Sequence, residues 1–119
     1  MYMAKLLEII GDLNDLILQG KLLEAFEKYY HKDVVIQRNK SIPIIGKSTN
    51  RKQKEAFVSS VTEFCLARPL KVTIGEGISM VEWYLEYTHK DFGERKYFQV
   101  SVQEWKDELI ISEKIYHNF

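Results

Sequence analysis

Residues 97–105 read YFQVSVQEW, and the direction this stretch faces decides the fold. Its alternation is strict, as in a β-strand, where successive side chains point to opposite faces. One face carries Phe98, Val100 and Val102; the other carries Gln99, Ser101 and Gln103. In an ordinary two-layer protein the apolar face packs on the core and the polar face meets water. The reverse arrangement would line an interior site with amides and a hydroxyl and leave the valines for another surface.

The next stretch, LIISEKIYH (109–117), supplies a partner strand. Lys106, Asp107 and Glu108 read as a three-residue loop, a type I turn plus bulge, with Glu108 where the backbone prefers φ > 0. That register sets Ser101 opposite Glu113, Gln99 opposite Ile115 and Tyr97 opposite His117. Directly opposed residues share a face, so Tyr97, Gln99, Ser101, Gln103, Glu113, Ile115 and His117 project together. A two-residue loop would put Ser101 opposite Lys114 and split the set. Phe98, Val100, Val102, Ile110 and Tyr116, with Met80 and Tyr84, remain for the outer face.

Working outward, LKVTIGE (70–76) and SMVEWYLEYTH (79–89) are two further strands, with turns at Glu76-Gly77 and Asp91-Phe92-Gly93. Before them the period changes. Leu6, Ile10, Leu13 and Ile17 mark one face of a helix that Gly20 ends. KLLEAFEKYY (21–30) is a second, shorter helix with Leu22, Leu23, Phe26 and Tyr30 inward. DVVIQR (33–38) is a β-branched strand, and Pro43 and Gly46 mark an irregular connection. A third helix is predicted over 48–67, with Phe57, Val61 and Phe64 at helical spacing. Ser48, Thr49 and Asn50 are its candidate N-caps, and Arg68-Pro69 is its stop. Helices first and an antiparallel meander last give an α+β fold, with helices packed on one face of a curved sheet.

The 119 residues suit one domain, 1–119. Hydrophobic residues are 45% and charged residues 29%, as in a soluble globular chain. Seventeen basic residues balance seventeen acidic ones, which argues against a nucleic-acid partner and favours self-association. The single cysteine, Cys65, cannot form an internal disulfide and fits a reducing, cytoplasmic compartment. No apolar stretch is long enough to cross a bilayer, so no membrane partner is expected. His31 and His89 gather no further ligands; no metal site and no cofactor are expected.

The order of elements, with GKLLEAFEKYYHKDVVI (20–36), IIGKSTNRK (44–52) and VQEWKDELIISEKIYH (102–117), resembles the nuclear transport factor two-like superfamily, in its SnoaL-like and ketosteroid isomerase-like branch. The resemblance covers residues 6–116. It implies a cone-shaped α+β fold, cystatin-like, in which a curved antiparallel sheet wraps three helices around a pocket. It also implies pairing through the outer face of the sheet. The pocket positions it implies fall on Ser101, Glu113, Ile115 and His117. The catalytic groups of ketosteroid isomerases are not matched. Arg38 (or Gln37, with a slip of one) falls at their catalytic Asp, Leu13 at the oxyanion Tyr and Ser101 at the second acid. Steroid isomerisation by that mechanism is therefore rejected, and the His–Asp arrangement of SnoaL-type cyclases has no place here.

Glu113 is the first candidate catalytic residue, because a carboxylate that loses solvation in a half-closed pocket is suited to accept a proton; the alternative is an exposed strand Glu paired with a Lys. His117 is the second, and the alternative is a surface histidine. The two lie about 13 Å apart along one strand and form no bonded dyad. Gln99, Ser101 and Gln103 suit orientation of a carbonyl or hydroxyl. Tyr97 and Ile115 share their face, and Trp83 and Leu85, with Val81 and Tyr87, form an apolar wall. Between Arg38 and Lys54 lie six cations and no acid. A phosphate- or carboxylate-bearing ligand is one reading of that segment; solvated side chains are the other. Three functions follow: a cytoplasmic homodimer binding a small, partly apolar molecule; an isomerase, cyclase or dehydratase with Glu113 as base; or a non-catalytic interaction module.

Overall fold

The structure, a computed structural model, describes residues 3–118. Three helices, α1 (Met3–Leu18), α2 (Leu22–Tyr29) and α3 (Lys47–Ser60), pack on one face of a curved, unclosed six-stranded sheet. The strands are β1 (Tyr30–Arg38), β2 (Ile44–Ile45), β3 (Val61–Gly75), β4 (Ile78–His89), β5 (Gly93–Lys106) and β6 (Leu109–His117). Their order is β2-β1-β6-β5-β4-β3. The expected α+β architecture is present, but the sheet is mixed rather than antiparallel, because β1 runs parallel to β6. The segment with Pro43 and Gly46 also contains the short strand β2, paired with Val35 and Ile36.

The apolar stripe of α1 packs as its spacing predicts: Leu6, Ile10 and Leu13 are buried, joined by Ile9. The helix ends in a Schellman motif, with the Lys21 N–H donating to Leu16 O and the Gly20 N–H to Ile17 O. Gly20 has φ +81°, a value glycine adopts without a Cβ penalty. In α2 the buried residues are Ala25, Phe26 and Tyr29, and Tyr30 already belongs to β1. These side chains form the main core with Val34, Ile36, Trp105, Ile110 and Ile115. A second cluster joins Ala67, Val81 and Trp83, with Leu85 against it.

The third helix is shorter than predicted. It stops at Ser60, and residues 61–67 are strand. Phe57, Val61 and Phe64 fit a helical period, but this stretch pairs with β4 instead, Val61 opposite His89 and Phe64 opposite Tyr87. Tertiary pairing overrides local periodicity. Pro69 therefore sits inside β3 rather than ending a helix. It is tolerated because β3 is an edge strand, with a register shift at Pro69/Lys71. The N-cap of α3 is Gly46, at φ 93° and ψ 146°, not Ser48, Thr49 or Asn50. Asn50 lies a turn inside the helix, where its Nδ2 donates to Ile44 O (3.0 Å) and Gly46 O (2.8 Å).

The β5–β6 hairpin differs from expectation in register, but the facing changes only at Ile110. Its loop has two residues, Asp107 and Glu108, both at positive φ (52° and 66°), the type I′ pattern. Alone, that loop would place Ser101 opposite Lys114. One extra residue on β6, Ile111, forms a β-bulge between the Glu104–Ser112 and Trp105–Ile110 pairs and restores the parity. Ser101 consequently lies opposite Ile115, Gln99 opposite His117 and Gln103 opposite Glu113. A displacement of two residues keeps every side chain on its face. Ile110 lies on the other side of the bulge, so it turns inward and is fully buried, a correction to its predicted place on the outer face.

Candidate functional site on the inner face of the sheet

Gln99, Ser101 and Gln103 all point toward the helices. Ser101 lies between Ile115 of the main core and Val81 of the second cluster, paired directly with both. Gln99 likewise lies between His117 and Trp83, and Gln103 between Glu113 and Ser79. The inner face of β5 is thus a polar strip that separates two apolar clusters. Ser101, Gln103, Ile115 and Trp83 are buried, while Tyr97, Gln99, His117 and Leu85 are half-buried.

Deep in this strip a hydrogen-bonded chain satisfies groups that burial would otherwise penalise. Trp105 Nε1–H donates to Ser79 Oγ (2.8 Å), and Ser79 Oγ donates to Gln103 Oε1 (2.7 Å). Gln103 Nε2 donates to Glu113 Oε2 (3.0 Å), and the Tyr30 hydroxyl donates to Glu113 Oε1 (2.7 Å). Glu113 is 3% exposed, and both of its oxygens accept a bond from the protein. Burial, followed by the adjacent Glu113 carboxylate, holds the Tyr30 phenol well above its ordinary range, so it remains a donor.

Toward the half-buried end, Gln99 Nε2 approaches Ser101 Oγ at 3.4 Å, and the Tyr87 and Tyr97 hydroxyls lie 2.7 Å apart. The Tyr97 ring is 5.7 Å from the His117 ring and 5.8 Å from that of Tyr87. Phe57 of α3 closes edge-on over Tyr87 at 5.2 Å. Burial, then the bond to Tyr87, raises the Tyr97 phenol, while burial and the charge of Arg38 lower the His117 imidazole. Glu113 and His117 belong to the same strand and face but share no hydrogen bond.

Lys54 was missed as a site residue. It is 6% exposed and lies under α3 with its Nζ 5.5 Å from the Phe26 ring centroid and 5.6 Å from that of Tyr30. Burial lowers its ammonium to about 8; the Glu113 carboxylate opposes that shift, and Arg38 adds to it. The signal was present as Asn50, Lys54 and Phe57, spaced i, i+4 and i+7, the stripe that a helix turns to its support. Of the other cations of that segment, Lys47 and Arg51 both engage Glu27, Lys40 and Lys52 are exposed, and Arg38 is half-buried.

Among the described residues, no three His, Cys, Asp or Glu side chains converge as metal ligands. The His31 and His89 Nδ1 atoms accept from the backbone N–H of Asp33 (3.0 Å) and Asp91 (3.1 Å). Leu13, at the position of the isomerase tyrosine, is fully buried in the main core. Two open depressions elsewhere involve none of the predicted site residues. One is lined by Asn39, Lys40, Ser41 and Tyr116, the other by Met3, Ala4, Leu7, Val72, Thr73 and Ile74.

No protein-family model matches the chain, and no curated protein matches its sequence. Solved structures do resemble it. A candidate SnoaL-like polyketide cyclase from Mesorhizobium loti is 19% identical, with a TM-score of 0.76 over 98% of this chain and 99% of its own. A nuclear transport factor 2-like protein of unknown function from Burkholderia xenovorans is 15% identical, with a TM-score of 0.78 over 97% and 84%. A ketosteroid isomerase-like protein from Catenulispora acidiphila, solved in complex with trimethylamine, is 14% identical, with a TM-score of 0.73 over 92% and 84%. With its three helices on a curved six-stranded sheet, the chain has the nuclear transport factor 2-like fold in the form shared by SnoaL-like and ketosteroid isomerase-like proteins.

Proposed function

We propose that the protein binds a small, partly apolar molecule between α3 and the inner face of β4–β6, and that it works as a cytoplasmic homodimer. The observation that carries the binding reading is the polar strip Gln99–Ser101–Gln103, set between two apolar clusters on the helix-facing side. A purely structural sheet would fill that face with aliphatic side chains; orienting polar groups beside an apolar wall are what ligand sites use. Trp83 and Leu85 supply the wall, Gln99 and Ser101 the orienting groups, and Tyr97, His117 and Ile115 the surround. Glu113 and Gln103 anchor the strip from beneath. The structural neighbour in complex with trimethylamine supports the capacity of this fold to hold a small organic molecule.

A ligand that binds only the folded chain raises its melting temperature. Screening small metabolites by thermal shift is expected to give stabilising compounds whose effect disappears in Ser101→Phe, which adds bulk to the inner face between Val81 and Ile115. If every stabilising compound acts equally on Ser101→Phe, the site is elsewhere.

A further inference from the structure

Lys54 is the one charged side chain of α3 that the fold buries. Among the described residues its ammonium has no hydrogen-bond or ion-pair partner; it faces the rings of Phe26 and Tyr30. Leaving a buried ammonium without such partners is expensive unless something negative joins it. Arg38 ends β1 opposite Ile115, two residues beyond the buried Ile36, and so shares the inner face. Its guanidinium also has no ion pair or hydrogen bond among the described residues. Along β1 it stands two residues from Ile36, which pairs with Glu113, and its charge acts on Tyr30, Lys54, Tyr97 and His117. Two cations therefore converge where a single carboxylate, Glu113, is already engaged by Tyr30 and Gln103. Around Lys54 the excess is one positive charge; Arg95, whose charge acts on Tyr97, lies at the other end of the same face, opposite Tyr87.

We propose that the ligand is a small monocarboxylate, its carboxyl group held between Arg38 and Lys54 and its apolar part against Trp83 and Leu85. The proposal rests on the binding site inferred above. An excess of one charge beside Lys54 matches a carboxylate and would leave a phosphate dianion uncompensated. From β1 to β4 the inner face spans three strand spacings, about 14 Å, which the Arg38 side chain and an acid of aryl-alkyl size bridge together. Guanidinium and ammonium differ in role here: the planar fork of Arg38 can take both carboxylate oxygens, while Lys54 adds a point charge from the helix side.

The test uses calorimetric titration at pH 7 with monocarboxylates from butyrate to 4-phenylbutyrate, the matching primary amides, and phenyl phosphate. At least one acid is expected to bind tenfold or more tightly than its amide. Arg38→Gln and Lys54→Gln, each checked for folding by circular dichroism, should each weaken the acid at least tenfold and leave the amide unchanged. The groups facing Lys54 are Glu113 on β6, Tyr30 and Arg38 on β1, and the Phe26 ring on α2. Tyr30 stays neutral well past pH 8, so acid binding should fall as pH rises through Lys54's own titration. Amides that bind as tightly as acids would overturn charge recognition while keeping the site. Tighter binding of phenyl phosphate than of any acid would overturn the monocarboxylate class. If neither acids nor amides bind, this proposal and the site both fail.

Discussion

Lys54 is where a single residue most affects the whole. Its ammonium titrates near 8 in the folded chain and near 10.5 when unfolded. Between those values the unfolded state binds more protons, so Lys54 makes the native state more stable as pH rises from about 8 toward 10. Above that range Tyr30 and Tyr97, whose phenols burial holds up, act with the opposite sign. Lys54→Met, which keeps the bulk and removes the charge, should stabilise the protein at pH 7 by on the order of 3 kcal/mol. Its advantage should shrink toward pH 10. Urea denaturation of both proteins at several pH values checks this, and equal stabilities at pH 7 would mean that the ammonium is hydrated. Glu108 offers a smaller residue-scale test. At φ 66°, in a type I′ turn that prefers Asp-Gly, it is a strained non-glycine residue. Glu108→Gly should raise stability by about 1 kcal/mol. The Lys5 contact that it loses, 3.8 Å between half-exposed groups, contributes little.

At the scale of elements, the β5–β6 hairpin turns on one inserted residue. Because of the Ile111 bulge, Ile110 belongs to the core while Phe98 and Tyr116 face outward. Ile110→Ala should therefore cost about 2–5 kcal/mol, as a core truncation does. If the outer face is free, Phe98→Ala should cost less than about 1 kcal/mol in dilute solution; comparable losses by thermal denaturation would place Ile110 outside the core. The start of α3 depends on Gly46 in the same way. Its φ of 93° is open only to glycine, although a Cβ there would meet no neighbour. Gly46→Ala should destabilise by about 1–3 kcal/mol through backbone strain alone. The polar stripe of α3 was legible in the spacing of Asn50, Lys54 and Phe57. It was overlooked because lysines at a helix surface are normally solvated. The end of α3 was not legible: FVSSVTEFCLA carries apolar residues at both helical and strand spacing, and only pairing with β4 decides between them.

The whole molecule leaves apolar side chains exposed on the outer face of its sheet, with Glu82 paired opposite Val100 and Lys114 opposite Val102. Met80, Tyr84, Phe98, Val100, Val102 and Tyr116 lie together on the side away from the helices, with Phe98 59% exposed and its ring 5.1 Å from that of Tyr84. Exposed apolar side chains grouped in this way are what interaction surfaces use. For the proposed homodimer, Phe98→Lys or Val100→Lys should convert the protein to monomer in sedimentation velocity without loss of secondary structure. Identical sedimentation of wild type and variants would remove this face as the interface. No helix among the described residues is long and apolar enough to cross a membrane.

By itself the sequence determined the α+β class and the set from Gln99 to His117 that shares one face of the last two strands. These follow from alternation and helical spacing, which are local properties of the chain. The tertiary structure decided which face of β5 turns inward, the register of the last hairpin, the length of α3, the inward turn of Ile110, and the burial of Lys54 beneath that helix. A bulge of one residue reverses facing without changing composition. The burial of Lys54 depends on how helix and sheet pack, which no local pattern encodes.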